Sequence, residues 1–260
     1  MAAAGVRDGK DEKPGMKSEE TAEVTENDGL GRNLTFGLLD AVGRAVVVGA
    51  YEGKTFPTEA DLTLQYGVSR SVTREAMKML AAKGLVSARP KQGTFVRPSD
   101  QWNLFDADIL RWLLDRKFTV ALLRQFNELR IGVEPPAAAL AASRARPAQV
   151  AAIAAGLQRM RDAENGLDDT MEADIAFHIA VLRASGNPFY IQFKDIVTTA
   201  LMTSIRFTNR IAGRTASISD HADVYFAIAA GNQDAAFTAM RKLIDEVLVL
   251  IDQSDNEGAA

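Results

Sequence analysis

Two titratable side chains four residues apart are the first candidates for chemistry. Asp174 and His178 lie in a stretch of helical character, so their spacing places both side chains on one face of a helix. A carboxylate and an imidazole on one face form a reasonable half of a metal site, and His221, on a later predicted helix, could supply a third ligand. The alternative is a hydrogen-bonded pocket pair without a metal. The residue types do not separate zinc, nickel and manganese.

The composition narrows the chemistry further. The 260 residues include no cysteine and two histidines, which excludes a disulfide framework, a cysteine-ligated zinc site, a cysteine nucleophile and any site made of three histidines of one chain. A metal-dependent enzyme that uses Asp174, His178 and His221 is one rival function. An enzyme also needs a base or nucleophile beyond the metal ligands, and the sequence shows no such constellation. We therefore expect a protein that is not an enzyme.

Charge is distributed unevenly along the chain. The whole chain has a net charge of −4, whereas residues 69–97 hold seven Lys or Arg and one Glu, a local net charge of +6. A compact basic segment inside an acidic chain predicts an anionic partner for that segment only. The alternative is a helix face whose charges are only solvated. The secondary structure predicted for the segment, described next, argues against that alternative.

The pattern around this segment predicts a small DNA-binding fold. One short helix begins near Thr58 and another runs from Ser69 or Ser71 to about Lys83, with a tight turn at Gly67 between them. Two such helices form a helix-turn-helix. Two brief β-type runs follow on either side of a Pro/Gly turn and predict a hairpin, which is a basic wing.

After Pro98 the β signals end and helical patterns replace them. Glycine-containing breaks separate predicted helices at 106–115, 119–145, 147–164, 168–185, 188–212, 217–231 and 233–252. We expect Pro135-Pro136 to kink or restart the second of these helices.

The fold class that follows is mainly α. We predict a winged helix-turn-helix domain at 31–98 and an all-helical bundle at 106–253. Residues 1–30 almost lack large apolar side chains and cannot offset the entropy of ordering, so we predict a disordered tail there.

Motifs in both halves of the chain carry a family resemblance. The first half resembles the DNA-binding domain of GntR-superfamily bacterial transcription regulators in the motifs Pro57-x-Glu59-x-x-Leu62, Tyr66-Gly67-Val68-Ser69-Arg70 and Gly93-Thr94-Phe95-Val96. The second half looks like the FCD effector domain of the FadR subfamily in Leu129-Arg130-x-x-x-Glu134-Pro135, Asp174-x-x-Phe177-His178 and Ala184-Ser185-Gly186-Asn187-Pro188. Residues 101–112 are similar to the branch of galactonate-operon repressors.

The recognition helix of this fold places its N-terminal residues against base edges in the major groove. Arg70 has the fork geometry that bonds guanine O6 and N7, and Val72 could meet a thymine methyl group. The hydroxyl of Thr73 suits a phosphate or a base. The predicted DNA-contacting residues of the helix and the wing are Ser69, Arg70, Ser71, Val72, Arg74, Arg89, Lys91 and Gly93.

The resemblance also implies a sensor in the second domain. In related FCD domains an aspartate and three histidines hold a divalent metal that engages the carboxylate of the effector. Asp174, His178 and His221 match three of these ligands, but Leu243 stands where the last histidine is expected. Arg130 matches the pocket arginine of the family, and guanidinium groups bind carboxylates in two-point contacts.

Three further residues are weaker effector candidates. Arg206 and Asn209 lie on one predicted helix, where a surface role is equally open, and Asn187 is more typical of a turn residue. The predicted effector-binding set is Arg130, Asn187, Arg206 and Asn209.

Together these features predict a ligand-responsive repressor of a sugar-acid catabolic operon. We expect a cytoplasmic homodimer that binds a pseudo-palindromic double-stranded DNA operator, holds a divalent metal and is released by a small carboxylate such as galactonate. A regulator that responds to acyl-CoA or another organic acid is the alternative. No membrane association is expected, because the apolar runs fall far short of the ~20 residues that span a bilayer.

Overall fold

The computed structural model describes residues 18–89, 93–116, 119–211 and 217–258. The chain divides into two compact units. The first comprises Gly53–Gln101 and the chain up to Gly43, and the second comprises Arg44–Glu52 and the chain from Trp102 onward.

Helix α1 spans Ser18–Val47 and therefore begins earlier than the sequence predicts. Residues 18–30 are helical, so the predicted tail is wrong for this stretch, whereas residues 1–17 lie outside the described part. The four glutamates of the stretch are good helix formers. Further along α1, the buried side chains recur at helical spacing: Leu38, Leu39, Val42, Val46 and Val47.

Helices α2 (Glu59–Tyr66) and α3 (Arg70–Ala82) form the predicted helix-turn-helix. Thr58 caps α2 in a capping box with Asp61, in which each side chain accepts a hydrogen bond from the backbone N–H of the other residue. Gly67 ends α2 with a φ of 63°, a left-handed conformation that glycine adopts without strain. This glycine permits the tight turn between the two helices.

The predicted wing is an antiparallel hairpin of β1 (Val86–Arg89) and β2 (Gly93–Val96). Its register pairs Val86 with Val96 and Arg89 with Gly93. The buried apolar side chains of α2, α3, the hairpin and the loops beside them are Phe56, Leu62, Val72, Ala76, Met77, Leu80, Leu85 and Val86.

Beyond residue 102, every regular element in the described part of the second unit is a helix. A 3-10 turn at Ser99–Gln101 ends the first unit, and another at Tyr190–Phe193 lies within the second. The helices are α4 (Ala107–Leu113), α5 (Val120–Arg144), α6 (Pro147–Glu164), α7 (Thr170–Ala184), α8 (Lys194–Ile211), α9 (Ile218–Ala229) and α10 (Gln233–Gly258). Among the described residues, no helix has both the length and the apolar character that crossing a membrane requires.

Helix α5 lies at the centre of this unit, where it packs against α7, α8, α9 and α10, while α6 packs against α7 and α9. It continues through Pro135 and Pro136 as one helix, so the predicted restart does not occur. Because these two residues have no N–H, they cannot donate the helical hydrogen bonds that the carbonyls of Ile131 and Gly132 would otherwise accept.

Candidate functional site

Three helices position the candidate sensor residues. Asp174 and His178 lie one turn apart on α7, His221 lies in the first turn of α9, and all three side chains are buried. Helix α6 approaches α7 closely at Gly156, where an added Cβ would lie 2.9 Å from the Cα of Phe177. The close approach of α6 therefore depends on a glycine opposite the segment that carries Asp174 and His178.

One atom from each of the three residues faces a common point. His221 Nε2 lies 2.9 Å from Asp174 Oδ1, His178 Nε2 lies 3.6 Å from the same oxygen, and the two Nε2 atoms are 3.4 Å apart. We call these three residues the Asp/His cluster; they form a group that could hold a metal ion. Among the described residues, Asp174 Oδ1 is buried and has no hydrogen-bond partner.

The second nitrogen of each imidazole is already engaged. His178 Nδ1 is hydrogen-bonded to the Glu134 carboxylate, and His221 Nδ1 lies 2.7 Å from the backbone carbonyl oxygen of Ser217. A carbonyl oxygen only accepts, so His221 Nδ1 carries a hydrogen. This arrangement leaves the Nε2 lone pairs directed at Asp174, as in histidines that ligate metals.

A buried polar network on α5 and α8 adjoins the cluster. Arg130 donates from Nε to Glu134 Oε1 at 2.5 Å and from Nη1 to Asn127 Oδ1 at 3.3 Å. Asn127 also donates to Ser204 Oγ at 3.2 Å. The remaining nitrogen, Arg130 Nη2, is buried without a hydrogen-bond partner among the described residues. A buried guanidinium with one unused donor is suited to an anion.

Electrostatics keep both buried carboxyls ionised. Burial alone would raise the pKa of Glu134, but the Arg130 guanidinium and the contact with His178 lower it to about 2. Burial opposes ionisation of Asp174 in the same way, and the contacts with His221 and His178 and the nearby Arg130 lower its pKa to about 2.

The structure brings only part of the predicted effector set to this site. Arg130 is buried beside the cluster, whereas the exposed Arg206 donates from Nη1 to the carbonyl oxygen of Leu114. Asn187 accepts a hydrogen bond from the N–H of Phe189 at 3.0 Å, which is a turn role. The side chain of Asn209 lies outside the described residues.

The sequence pattern did not indicate two members of the network, and it drew attention to Leu243. Glu134 and Asn127 stand four and three residues from Arg130, a spacing that places all three on one face of α5 and could have indicated them. Leu243 is half-buried and packs against the apolar core of the second unit, so it supplies no fourth ligand.

The predicted DNA-contacting residues lie at the N-terminal end of α3. Ser69 caps the helix through its hydroxyl, which accepts from the N–H of Val72 at 3.3 Å. Arg70, Ser71 and Arg74 are exposed, and neither guanidinium forms an ion pair with a residue that the structure describes. These side chains are available to a ligand outside the protein.

Two predicted contacts on α3 are contradicted by the structure. Val72 is 8% exposed and belongs to the core, so a contact with a thymine methyl group is wrong. The Thr73 hydroxyl is fully buried and lies 2.9 Å from the Thr63 hydroxyl of α2, so it joins the two helices instead of meeting DNA. Both residues lie on the same helix face as the buried Ala76, Met77 and Leu80.

The wing presents one of its predicted cations in a defined position. The Arg89 guanidinium lies over the Phe95 ring, 4.6 Å from its centroid, and Arg89 is exposed. Gly93 is exposed at the start of β2 and has a φ of 80°. Lys91 lies outside the described residues.

A winged helix-turn-helix with exposed arginines, joined to a helical unit with a buried polar site, defines a DNA-binding transcription regulator with a separate sensor domain. Two family models match these parts: the bacterial regulatory proteins of the gntR family at residues 48–96, and the FCD domain at residues 125–246.

Relatives match along most of the chain. The galactonate operon transcriptional repressor of Escherichia coli K12 is 32% identical over 216 residues, which cover 82% of this chain and 94% of the relative. The HTH-type transcriptional regulator YieP of the same organism is also 32% identical over 216 residues, covering 82% and 93%. The chain therefore belongs to the GntR family of bacterial transcription regulators.

A solved structure supports the fold alone. This structure is that of Lar, which controls the expression of the Listeria monocytogenes agr system; the likeness has a TM-score of 0.50 at 19% identity and covers 86% of this chain and 97% of that one.

Proposed function

We propose that this regulator represses a sugar-acid operon and leaves its operator when a small carboxylate binds at a divalent metal held by Asp174, His178 and His221. One observation carries the proposal: three ligand atoms of these residues converge on one buried point while the other ring nitrogen of each histidine is engaged elsewhere. The finding that the E. coli relative is named for the galactonate operon supports the class of effector.

The dimensions of the cluster fit a metal ion. In a tetrahedral site with bonds of about 2.1 Å, ligand atoms lie about 3.4 Å apart, and the three distances here are 2.9, 3.4 and 3.6 Å. Two imidazoles and a carboxylate suit zinc, nickel and manganese alike. When bound, the ion attracts carboxylate and hydroxyl oxygens as a Lewis acid. Leu243 supplies no ligand, so we expect weaker metal binding than in relatives with four protein ligands.

Arg130 supports an anionic effector. Its Nη2 is a buried donor without a partner among the described residues. The wall beside it is polar, since Asn127 and Ser204 are buried there and hydrogen-bonded to each other. A polar wall with a cation suits a hydroxy acid better than a fatty acyl chain.

On the DNA side, we assign base and phosphate contacts to exposed residues of α3 and the wing. One recognition helix reads too few bases for selective binding, so we propose a homodimer on a pseudo-palindromic operator. The proposed contact residues are Ser69, Arg70, Ser71, Arg74, Arg89, Lys91 and Gly93. Sedimentation of a monomer at micromolar concentration that binds a single half-site would contradict the dimer.

The test combines metal analysis with an operator-release titration. The purified protein is loaded with zinc, bound to fluorescent DNA from upstream of its own gene, and titrated with galactonate or with an acyl-CoA. We expect release by galactonate only, and loss of that response in His178→Ala and Arg130→Ala. Arg241→Ala is the matched control, because it removes an exposed arginine of the same unit.

Three results would contradict the proposal. Release by the acyl-CoA instead of galactonate would assign a different effector class. A wild-type response in both His178→Ala and Arg130→Ala would move the sensor away from the Asp/His cluster. Full release by galactonate after the metal has been removed with a chelator would mean that the Asp/His cluster is a hydrogen-bonded pocket that needs no metal.

A further inference from the structure

Glu134 occupies a central position that the proposed function does not use. Its side chain is fully buried, and each carboxylate oxygen has a different partner. Oε1 accepts from Arg130 Nε at 2.5 Å, and Oε2 is hydrogen-bonded to His178 Nδ1. One carboxylate therefore contacts both the anion-binding candidate and a metal-ligand candidate.

The two histidines of the cluster differ in what holds them. His221 Nδ1 is fixed by the backbone carbonyl of Ser217, which no substitution can remove. His178 Nδ1 is fixed by a side chain, Glu134. A neutral imidazole has one N–H and one lone pair, so the partner of Nδ1 decides whether Nε2 can accept a metal.

We propose that Glu134 is the positioning residue that holds His178 in the tautomer with hydrogen on Nδ1 and thereby makes the Asp/His cluster able to bind metal. An ionised carboxylate only accepts hydrogen bonds, so His178 must donate from Nδ1 and present the Nε2 lone pair to Asp174 and His221. Carboxylates that contact a ligating histidine also raise its basicity. The metal part of this inference rests on the proposed function, whereas the tautomer part does not.

Arg130 enforces the arrangement. Its guanidinium is always charged and takes one oxygen of Glu134, which leaves the other oxygen for His178. In Glu134→Gln the side chain has one acceptor oxygen, and Arg130 claims it. The Gln NH₂ group then faces His178 Nδ1 as a donor, so the ring must place its hydrogen on Nε2 and the lone pair on Nδ1. A ring in that tautomer does not offer Nε2 to a metal.

The chain is well suited to a direct measurement because it contains two histidines. With ¹⁵N-labelled histidine at pH 8, where an ordinary imidazole is neutral, long-range ¹H–¹⁵N correlation spectra report the tautomer of each ring. We expect hydrogen on Nδ1 of both rings in the wild type. In Glu134→Gln we expect His178 to change to the Nε2–H tautomer while His221, the internal control, stays unchanged. Zinc affinity should fall by about 10–100-fold, measured by calorimetry with zinc alone.

A matched pair of double variants avoids an unpaired buried charge. Arg130→Met/Glu134→Gln keeps an oxygen that His178 alone can claim, whereas Arg130→Met/Glu134→Met has a similar shape and no acceptor. We expect the first to keep the Nδ1–H tautomer and to regain zinc affinity relative to Glu134→Gln, and the second to lose both. If Glu134 had a role in packing alone, the two double variants would show the same tautomer and the same zinc affinity.

The outcomes distinguish the two proposals. If His178 keeps the Nδ1–H tautomer in Glu134→Gln and in Arg130→Met/Glu134→Met, the positioning role is wrong. If the tautomer changes as expected but the wild type binds no zinc, the proposed metal site fails and the assignment of Glu134 to His178 stands. If zinc binds equally to wild type and Glu134→Gln, the proposed contribution of Glu134 to metal binding is overturned.

Discussion

The two units place their charged side chains in opposite ways. In the helix-turn-helix unit, Arg70, Arg74 and Arg89 lie on the surface, and Thr73 is the sole buried polar residue among those described between 53 and 101. The helical unit buries an Arg–Glu pair together with the Asp/His cluster. A surface that meets DNA needs charges that solvent keeps available, whereas a sensor needs charges whose partners are fixed in advance.

The comparison predicts that losing a buried cation is far more costly than losing a surface one. Arg130→Met leaves the buried Glu134 carboxylate with His178 alone, and should lower the free energy of unfolding by about 3–5 kcal/mol. Lys78→Ala removes a cation whose partner, Glu75, is exposed on α3, and should change the free energy of unfolding by at most about 0.5 kcal/mol.

Urea unfolding followed by tryptophan fluorescence measures the first variant, because Trp102 and Trp112 are the two tryptophans and both lie in the second unit. Circular dichroism at 222 nm measures the second. Equal destabilisation by Arg130→Met and Lys78→Ala would contradict the prediction that losing the buried cation costs more than losing the surface one.

Acid should affect the helical unit more than the DNA-binding unit. The pKa values of Glu134 and Asp174 are lowered in the folded state from 4.5 and 3.8 to about 2, so their contribution to stability is complete above pH 4.5. It is lost as the pH falls through 2. The urea midpoint reported by tryptophan fluorescence should therefore drop over that window. The drop should shrink in Arg130→Met/Glu134→Met, and an unchanged drop would assign acid sensitivity to other groups.

Close packing behind the Asp/His cluster should make Gly156 intolerant of a methyl group. Gly156→Ala places a Cβ 2.9 Å from the Phe177 backbone, which should destabilise the helical unit by about 1–3 kcal/mol. Gly132→Ala is the control, because Gly132 is exposed within α5 and an added Cβ meets no atom within 4 Å. That control should gain about 0.5–1 kcal/mol from helix propensity. If both substitutions change the urea midpoint in the same direction, the close packing of Gly156 against Phe177 is contradicted.

Removing a surface arginine should affect DNA binding and not stability. Arg70→Ala should weaken operator binding by about 1–3 kcal/mol and relax the choice of base at one position of each half-site. Arg241→Ala removes an exposed arginine of α10 and should leave operator affinity unchanged. Fluorescence anisotropy with the operator and single-base variants measures both. Wild-type selectivity in Arg70→Ala would mean that α3 does not present Arg70 to bases.

Much of the fold could be predicted because glycine, proline and asparagine mark its boundaries. The expected helix at 147–164 coincides with α6, and the one at 217–231 contains α9. The expected tail failed over 18–30, where composition excludes a core but helix-forming glutamates still allow a helix. Composition therefore does not fix the local conformation of this stretch.

The site was less predictable because its partners come from other helices and from the backbone. Spacing on α7 was enough to indicate Asp174 and His178. The carbonyl of Ser217 that fixes His221 carries no side-chain signal, so no sequence pattern could reveal it. Val72 was wrongly assigned to DNA contact because it lies near the N-terminal end of α3. Its spacing of four residues from Ala76 already indicated that it lies on the buried face of that helix.

The unbroken course of α5 through its two prolines gives the helix a mechanical property. Two consecutive carbonyls, of Ile131 and Gly132, lack helical donors, so fewer helical hydrogen bonds resist bending beside Arg130 and Glu134. The arm from Val120 to Glu134 is about 22 Å long at 1.5 Å per residue. A bend of about 5° at this joint moves the far end of that arm by about 2 Å. By this geometry, any bend beside the buried cation is enlarged at the other end of the arm.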